Sequence, residues 1–289
     1  MTRLLALALF LCLVPAALTA AVSADYAAAV ELYQQRKPLE AQQAFETLAQ
    51  QDPENADIQF YLGRLALQRD DPAKAVAYLE KAVALVPNDS RFHLRLGDAY
   101  GRSAQKAGLF SKMGLAAKCR AEYEKAVALD PKSLEARFSL LGFYQQAPAI
   151  AGGGLDKAHV QAAEIKKLDA GRGRMAIAGL YVVEKKFDLA FAEFETALQQ
   201  NPDDYAALFQ LGRLAAITGE QTDRGLAVLR QCLGQTPPEG QPPHAAAHWR
   251  IGNILEKKGD QPGARAAYEA ALRIDPKFPQ AIDSLQRLK

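Results

Sequence analysis

The sequence predicts an all-α protein built as a stack of helix pairs, and three observations predict it. Apolar residues recur at helical spacing on paired segments separated by short polar turns. A pattern of Leu-Gly, then alanine, then a large residue, then proline returns along the chain at a nearly constant interval, which is the mark of a repeat architecture. Alanine, the strongest helix former, is abundant. Hydrophobic residues make up 49% and charged residues 24% of the 289, ordinary globular proportions that call for a buried core. The formal net charge of +2 gives no global field for a polyanion, so no nucleic-acid partner is expected.

Taken in order, residues 1–24 come first. Arg3 gives a short positive start, Leu4 to Val14 an uninterrupted apolar run, and Pro15 a break. Val22-Ser23-Ala24 then supplies modest-sized residues for cleavage after Ala24, with Thr19-Ala20-Ala21 as a second possible site. This three-part layout predicts an export signal, and the run is short for a membrane span. The expected mature chain is therefore residues 25–289, periplasmic or secreted. An uncleaved N-terminal anchor is the alternative.

Seven units follow. Residues 22–55 form a weak first unit through Ala29, Leu32, Ala41, Phe45 and Pro53. Residues 56–89 carry Leu62-Gly63, Ala75, Leu79, Ala82 and Pro87; residues 90–133 carry Leu96-Gly97, Tyr100, Cys119, Tyr123, Ala126 and Pro131. Residues 134–170 are degenerate, keeping Leu140, Tyr144 and Ala158, whereas 171–204 keep Ala178, Tyr181, Ala190, Phe194, Ala197 and Pro202. Residues 205–239 show Leu211-Gly212, Leu229, Cys232 and Pro237; residues 245–278 show Ile251-Gly252, Leu255, Ala264, Tyr268, Ala271 and Pro276. In residues 279–289, Ala281, Ile282, Leu285 and Leu288 share one helical face and predict a capping helix.

Each residue type has a mechanical reason. Gly63, Gly97, Gly212 and Gly252 leave room for two helices to approach, and Ala75, Ala190 and Ala264 offer a small matching surface. Leu79, Tyr123, Phe194 and Tyr268 fill the remaining volume at crystal-like density. Proline ends the second helix because it cannot continue the hydrogen-bond ladder. One such pair cannot bury its own apolar face, so neighbours stack. Gly212→Leu is accordingly expected to overpack its pair. Cys119 and Cys232 fall at small packing positions and read as buried thiols; a disulfide between these positions, 113 apart in sequence, is the alternative.

On these residues the chain resembles the tetratricopeptide-repeat family over essentially its whole mature length. The resemblance implies a right-handed superhelical solenoid of about seven helix-turn-helix units plus the C-terminal cap. It also implies a role in binding other proteins rather than in catalysis, and a concave face lined by the first helix of each unit. The fifth position of those helices reads Tyr26, Phe60, Leu94, Phe138, Met175, Phe209 and Trp249. Four residues on come Val30, Arg64, Asp98, Gly142, Gly179, Arg213 and Asn253. Aromatic residues beside arginines favour protein-binding hot spots, so Tyr26, Phe60, Arg64, Phe138, Phe209, Arg213, Trp249 and Asn253 form the candidate groove. The same aromatics also suit packing between neighbouring first helices. Relatives that clamp acidic C-terminal tails use lysines and asparagines here, and this chain has no lysine at the fifth position, so a peptide with apolar anchors is the better fit.

The chain departs from the family twice. Pro87 and Pro131 stand 44 residues apart, against a family spacing of about 34. The excess lies around Ser103 to Ala116, where Leu109, Phe110, Met113 and Leu115 make an apolar loop that either docks a partner or folds back locally. The second insertion, Ala147 to Gly154, holds Gly152, Gly153 and Gly154 ahead of Asp156-Lys157. Its amides suit an anion, while Asp156 suits an N-cap and no phosphate-loop spacing is present. The two insertions are expected to form one patch.

No catalytic constellation stands out, so no enzyme, cofactor or metal site is expected. His244 and His248 lie four residues apart, as two metal ligands would, yet no third ligand is evident. The expected function is an exported scaffold or adaptor holding a partner protein or peptide in its groove. The alternative is a small-ligand or metal-binding envelope protein using the insertions or His244/His248.

Overall fold

A computed structural model describes residues 16–288, with backbone alone at 16–23 and at Leu109. The apolar run and Arg3 of the expected export signal lie outside the described residues. Among those described, secondary structure is entirely helical, and no helix is long and apolar enough to cross a membrane.

The chain divides into two compact units, the first ending at Ala136 and the second beginning at Arg137. In the first unit, α1 (Ala16–Gln34) pairs with α2 (Pro38–Gln51), α3 (Ala56–Gln68) with α4 (Pro72–Leu85), and α5 (Ser90–Lys106) with α6 (Leu109–Leu129). In the second, α7 (Leu134–Gln146), which starts just before the boundary, is followed by a 3-10 turn (Ala149–Ala151) and α8 (Leu155–Leu168). The pairs α9 (Ala170–Val183) with α10 (Phe187–Gln200), α11 (Tyr205–Thr218) with α12 (Thr222–Leu233), and α13 (His244–Lys257) with α14 (Gln261–Ile274) come next, and α15 (Pro279–Arg287) closes on α14. Within each unit α1 to α6 and α8 to α15 pack on their chain neighbours. First helices also touch across pairs, as α3 does α5, and as α11 does both α9 and α13.

Local chemistry explains the punctuation. The side chains of Asn55, Asp71, Asp169, Asp204 and Asp260 each accept a hydrogen bond from the third amide of the helix they open, satisfying one of that end's orphan donors. Second helices end two residues before proline at Pro53, Pro87, Pro131, Pro202 and Pro276, because the residue between is pushed out of the helical region by the proline that follows it.

The packing register holds, with one refinement. A Cβ at Gly63 would fall 2.5 Å from Leu79 Cγ, at Gly97 2.6 Å from Tyr123 Cδ1, at Gly212 2.3 Å from Leu229 Cγ, and at Gly252 2.3 Å from Tyr268 Cε1. The glycine thus makes room for the large residue of the second helix rather than meeting its alanine. The degenerate pair inverts this arrangement. Leu141 stands at the glycine position and Ala162 at the large one, and both are buried. Cys119 and Cys232 are buried free thiols, and burial pushes both up to about 12.

Both insertions differ from expectation. The residues around Ser103 to Ala116 do not make a loop. They lengthen α5 to 17 residues and α6 to 21, against 13 and 14 in α3 and α4, with only Ala107 and Gly108 between them. Their composition of alanine, lysine, glutamine, leucine and methionine favours helix, and each lengthened helix packs on the other. Phe110 and Met113 therefore sit in the first turns of α6, with Phe110 97% exposed, and the side chain of Leu109 lies outside what is described. In the second insertion the helix opens at Gly154, and Asp156 lies in the first turn without capping it. The amides there are already used: Gly152 N–H bonds to Ala149 O, Gly153 N–H to Pro148 O, and Gly154 N–H to Tyr144 O at 2.8 Å. Gly153 is wedged so tightly that a Cβ would meet the Ala147 carbonyl oxygen at 1.9 Å. An anion would find no free donor among these amides.

Candidate functional site

The stripe of fifth positions is treated differently by the two units. In the first, it is spent on packing. Phe60 is 4% exposed and lies 5.0 Å from the Phe92 ring; Leu94 is equally buried. Tyr26 meets Phe45 and Tyr61 edge-on. The Arg64 guanidinium lies over three rings, 4.7 Å from Tyr33, 5.3 Å from Phe60 and 5.7 Å from Tyr61. Cation–π contacts of this kind hold a charge at an aromatic surface, so Arg64 is already housed.

In the second unit the same stripe opens at Phe138 and Met175. Between α7, α9 and α11 lies a cavity of about 470 Å³. Phe138, half-buried, forms one wall, with the Arg172 guanidinium 4.6 Å over its ring. Met175 is 42% exposed and Ile217 45%, and both line the cavity. Gly179 lies on its floor, and a Cβ there would meet nothing within 4 Å. Arg213 stands opposite, its Nη1 donating a long 3.3 Å bond to Gln210 Oε1.

The remaining expected residues are placed elsewhere. Phe209 is 4% exposed and belongs to the core of the second unit. Trp249 is covered by the last helix, with Nε1 donating to Ser284 Oγ at 3.1 Å and the ring 6.1 Å from Phe278. Asn253 Oδ1 lies 2.8 Å from the Tyr268 hydroxyl, so its acceptor is occupied. His244 Nε2 lies 2.7 Å from Gln235 O, and among the described residues no three His, Cys, Asp or Glu side chains gather as metal ligands would.

Sequence reasoning missed Arg172, Ile217 and Arg250. Ile217 was within reach, because it lies one further helical step beyond Phe209 and Arg213. Arg250 carried no such signal and does not line the cavity; it stacks on the Trp249 ring at 4.0 Å.

Comparison with known proteins agrees with this architecture. Residues 26–90 match a family model described as Tetratricopeptide repeat, and residues 144–283 one described as Tetratricopeptide repeat-like domain. Cellulose synthase operon protein C of Pseudomonas fluorescens (strain SBW25) is 28% identical over 131 residues, 44% of this chain. Those residues are 10% of that protein's length, so the chain matches only a small part of it. Among solved structures, a tetratricopeptide repeat protein from Parabacteroides merdae superposes with a TM-score of 0.58 at 14% identity, covering 92% of this chain and 98% of that one. Yeast Tom70 superposes with a TM-score of 0.59 at 16% identity, over 88% of this chain and 51% of its own. These likenesses concern the fold. The two family models together cover well over half of the sequence, and the glycine-to-large-residue register accounts for both, so the chain belongs to the tetratricopeptide-repeat family.

Proposed function

We propose that this protein is an exported adaptor that binds a segment of a partner protein, and that the groove between α7, α9 and α11 is where it binds. The observation that carries this reading is the contrast within one repeated stripe. At the fifth position the first unit buries Phe60 and Leu94, whereas the second leaves Met175 exposed, with Ile217 exposed beside it, around a cavity of about 470 Å³. A cavity of that size, mainly apolar with a few polar groups, is what a side-chain-sized anchor needs. Binding rather than catalysis fits a site whose polar groups are two arginines and a glutamine, with no nucleophile and base brought together. The signal-like layout of residues 1–24 supports export.

Gly179→Leu tests the groove, because its side chain would enter open space without disturbing the helix pair. Photo-crosslinking from position 175 in intact cells is expected to trap a discrete partner, and Gly179→Leu to remove that product while leaving the melting temperature unchanged or raised. An undiminished product in the variant would show that the partner sits elsewhere.

A further inference from the structure

The α5–α6 hairpin carries apolar surface and charge that the folded chain does not use. Phe110 is 97% exposed, and among the described residues no large apolar side chain is more so. Met113, one helical step further along α6, is only partly covered. Between Asp98 and Glu122 the chain has five cations, Arg102, Lys106, Lys112, Lys118 and Arg120, and no acid. The whole chain is nearly balanced, with 35 basic residues to 33 acidic, so this run is a local departure.

Neighbouring acids meet only part of it. Lys106 lies 2.7 Å from Asp70, Lys118 3.9 Å from Glu80, and Arg120 3.7 Å from Glu124. Asp71, which lines the same cleft as Lys106, pairs with Lys74 at 3.6 Å, and Arg102 donates to the Leu67 carbonyl at 2.8 Å. Lys112 is exposed, and its side chain has no ion pair or hydrogen bond among the described residues. An exposed apolar group ringed by cations marks an interaction site, and its surroundings say which kind. A protein partner buries a hot-spot ring inside a rim of contacts that excludes water, but the residues around Phe110 are the small, exposed Gly108, Ser111 and Gly114. A second copy meeting this one turn to turn would set Lys112 against Lys112. A single-stranded nucleic acid calls for several rings on which successive bases stack. A lipid surface needs neither rim nor row: it takes up an apolar side chain wherever cations can sit among its phosphates.

We infer that the α5–α6 hairpin docks on an anionic lipid bilayer, with Phe110 and Met113 entering the headgroup boundary and Lys112 pairing with lipid phosphate. This contact goes beyond the groove reading and does not depend on it. It holds the first unit at a membrane surface and leaves the groove of the second unit to the partner segment.

Co-sedimentation of the full chain with vesicles tests this, using phosphatidylcholine alone and an equal mixture of phosphatidylcholine and phosphatidylglycerol. The anionic vesicles are expected to bind at least about fivefold more tightly, the effect of one lysine near an anionic surface. Lys112→Gln should lose about that fivefold on anionic vesicles and nothing on neutral ones. Phe110→Ser should lose about tenfold, as removal of a largely buried phenyl ring does. Both variants should melt with the wild type, and Gly179→Leu, which fills the groove, should bind vesicles as the wild type does. Phe110→Trp should keep the affinity, and brominated acyl chains should quench its added tryptophan but not Trp249, which α15 covers. Equal binding to anionic and neutral vesicles overturns the inference. Binding that survives both Phe110→Ser and Lys112→Gln also overturns it, and assigns the affinity to the apolar run of residues 4–14. Absence of vesicle binding overturns it too. In that case, a larger sedimenting species lost in Phe110→Ser would assign the hairpin to a second copy, and a discrete protein crosslinked from position 110 in intact cells would assign it to a protein partner.

Discussion

Two glycines on first helices show how much a single hydrogen atom decides in this fold. Gly212 faces Leu229 so closely that a Cβ would sit 2.3 Å from its Cγ, whereas Gly179 faces open space. Neither has a positive φ, so backbone strain plays no part and the difference is packing alone. Gly212→Ala is therefore expected to destabilise by about 1–3 kcal/mol, the ordinary cost of overpacking, and Gly212→Leu by no less. Gly179→Ala should stabilise by about 0.5–1 kcal/mol, because glycine inside a helix forfeits that much to chain entropy. Urea midpoints of the two alanine variants check both at once, and a shift of the same sign in both would refute the register. The glycine–large-residue pairing was legible in the sequence because it repeats, and four of the seven pairs keep it. Where the repeat degenerates, Leu141 and Ala162 exchange roles, and comparison of units reads such a swap only as a mismatch. Residues defined by what they lack were not legible. Arg250 is set apart by a buried Nε with no hydrogen-bond partner, and Phe60 differs from Met175 in burial, although both hold the same repeat position.

At the scale of the helix, the extended α5–α6 hairpin is the clearest departure from a regular repeat. An excess in repeat length says where residues were added, and only their composition says whether they continue the helices. Ser103 to Lys106 and Lys112 to Lys118 are mainly helix formers, and two helices already packed side by side can lengthen together. In the first turns of the lengthened α6, Phe110 is 97% exposed and Met113 only partly covered. A phenyl ring surrounded by solvent contributes almost nothing to stability. Phe110→Ser is expected to change unfolding free energy by less than about 0.5 kcal/mol, as surface substitutions do, while Leu79→Ala, fully buried against Gly63, should cost about 2–5 kcal/mol. A large loss in the Phe110 variant would mean that the ring is covered in solution, and sedimentation of the wild type would then show self-association. The polar turns obey the simplest rules of all. Asp and Asn at six helix starts supply the cap, and proline after five helix ends sets the stop, which is why helix ends were easier to place from sequence than the groove.

Within each unit contacts join helices near in sequence: α1 to α6 in the first and α8 to α15 in the second pack on their chain neighbours, and first helices touch across one intervening helix. Stability of such an array is approximately a sum of helix-pair terms and nearest-neighbour interfaces, and its ends are held from one side only. The last helix, α15, has nine residues and packs on α14, yet it covers Trp249, the single tryptophan of the chain. The tryptophan therefore reports on one end of the array, while the helical circular dichroism signal reports on all of it. In urea, the red shift of tryptophan emission is expected to have its midpoint at lower denaturant than loss of helix. Ser284→Ala removes the acceptor of the Trp249 Nε1 hydrogen bond, leaving a buried donor unsatisfied at a cost of about 1–3 kcal/mol. It should widen the gap by moving the fluorescence midpoint further than the dichroism midpoint. Coincident curves for the wild type, displaced together by Ser284→Ala, would instead mean that the chain unfolds as one cooperative block, and that coupling along the array exceeds what its nearest-neighbour contacts supply.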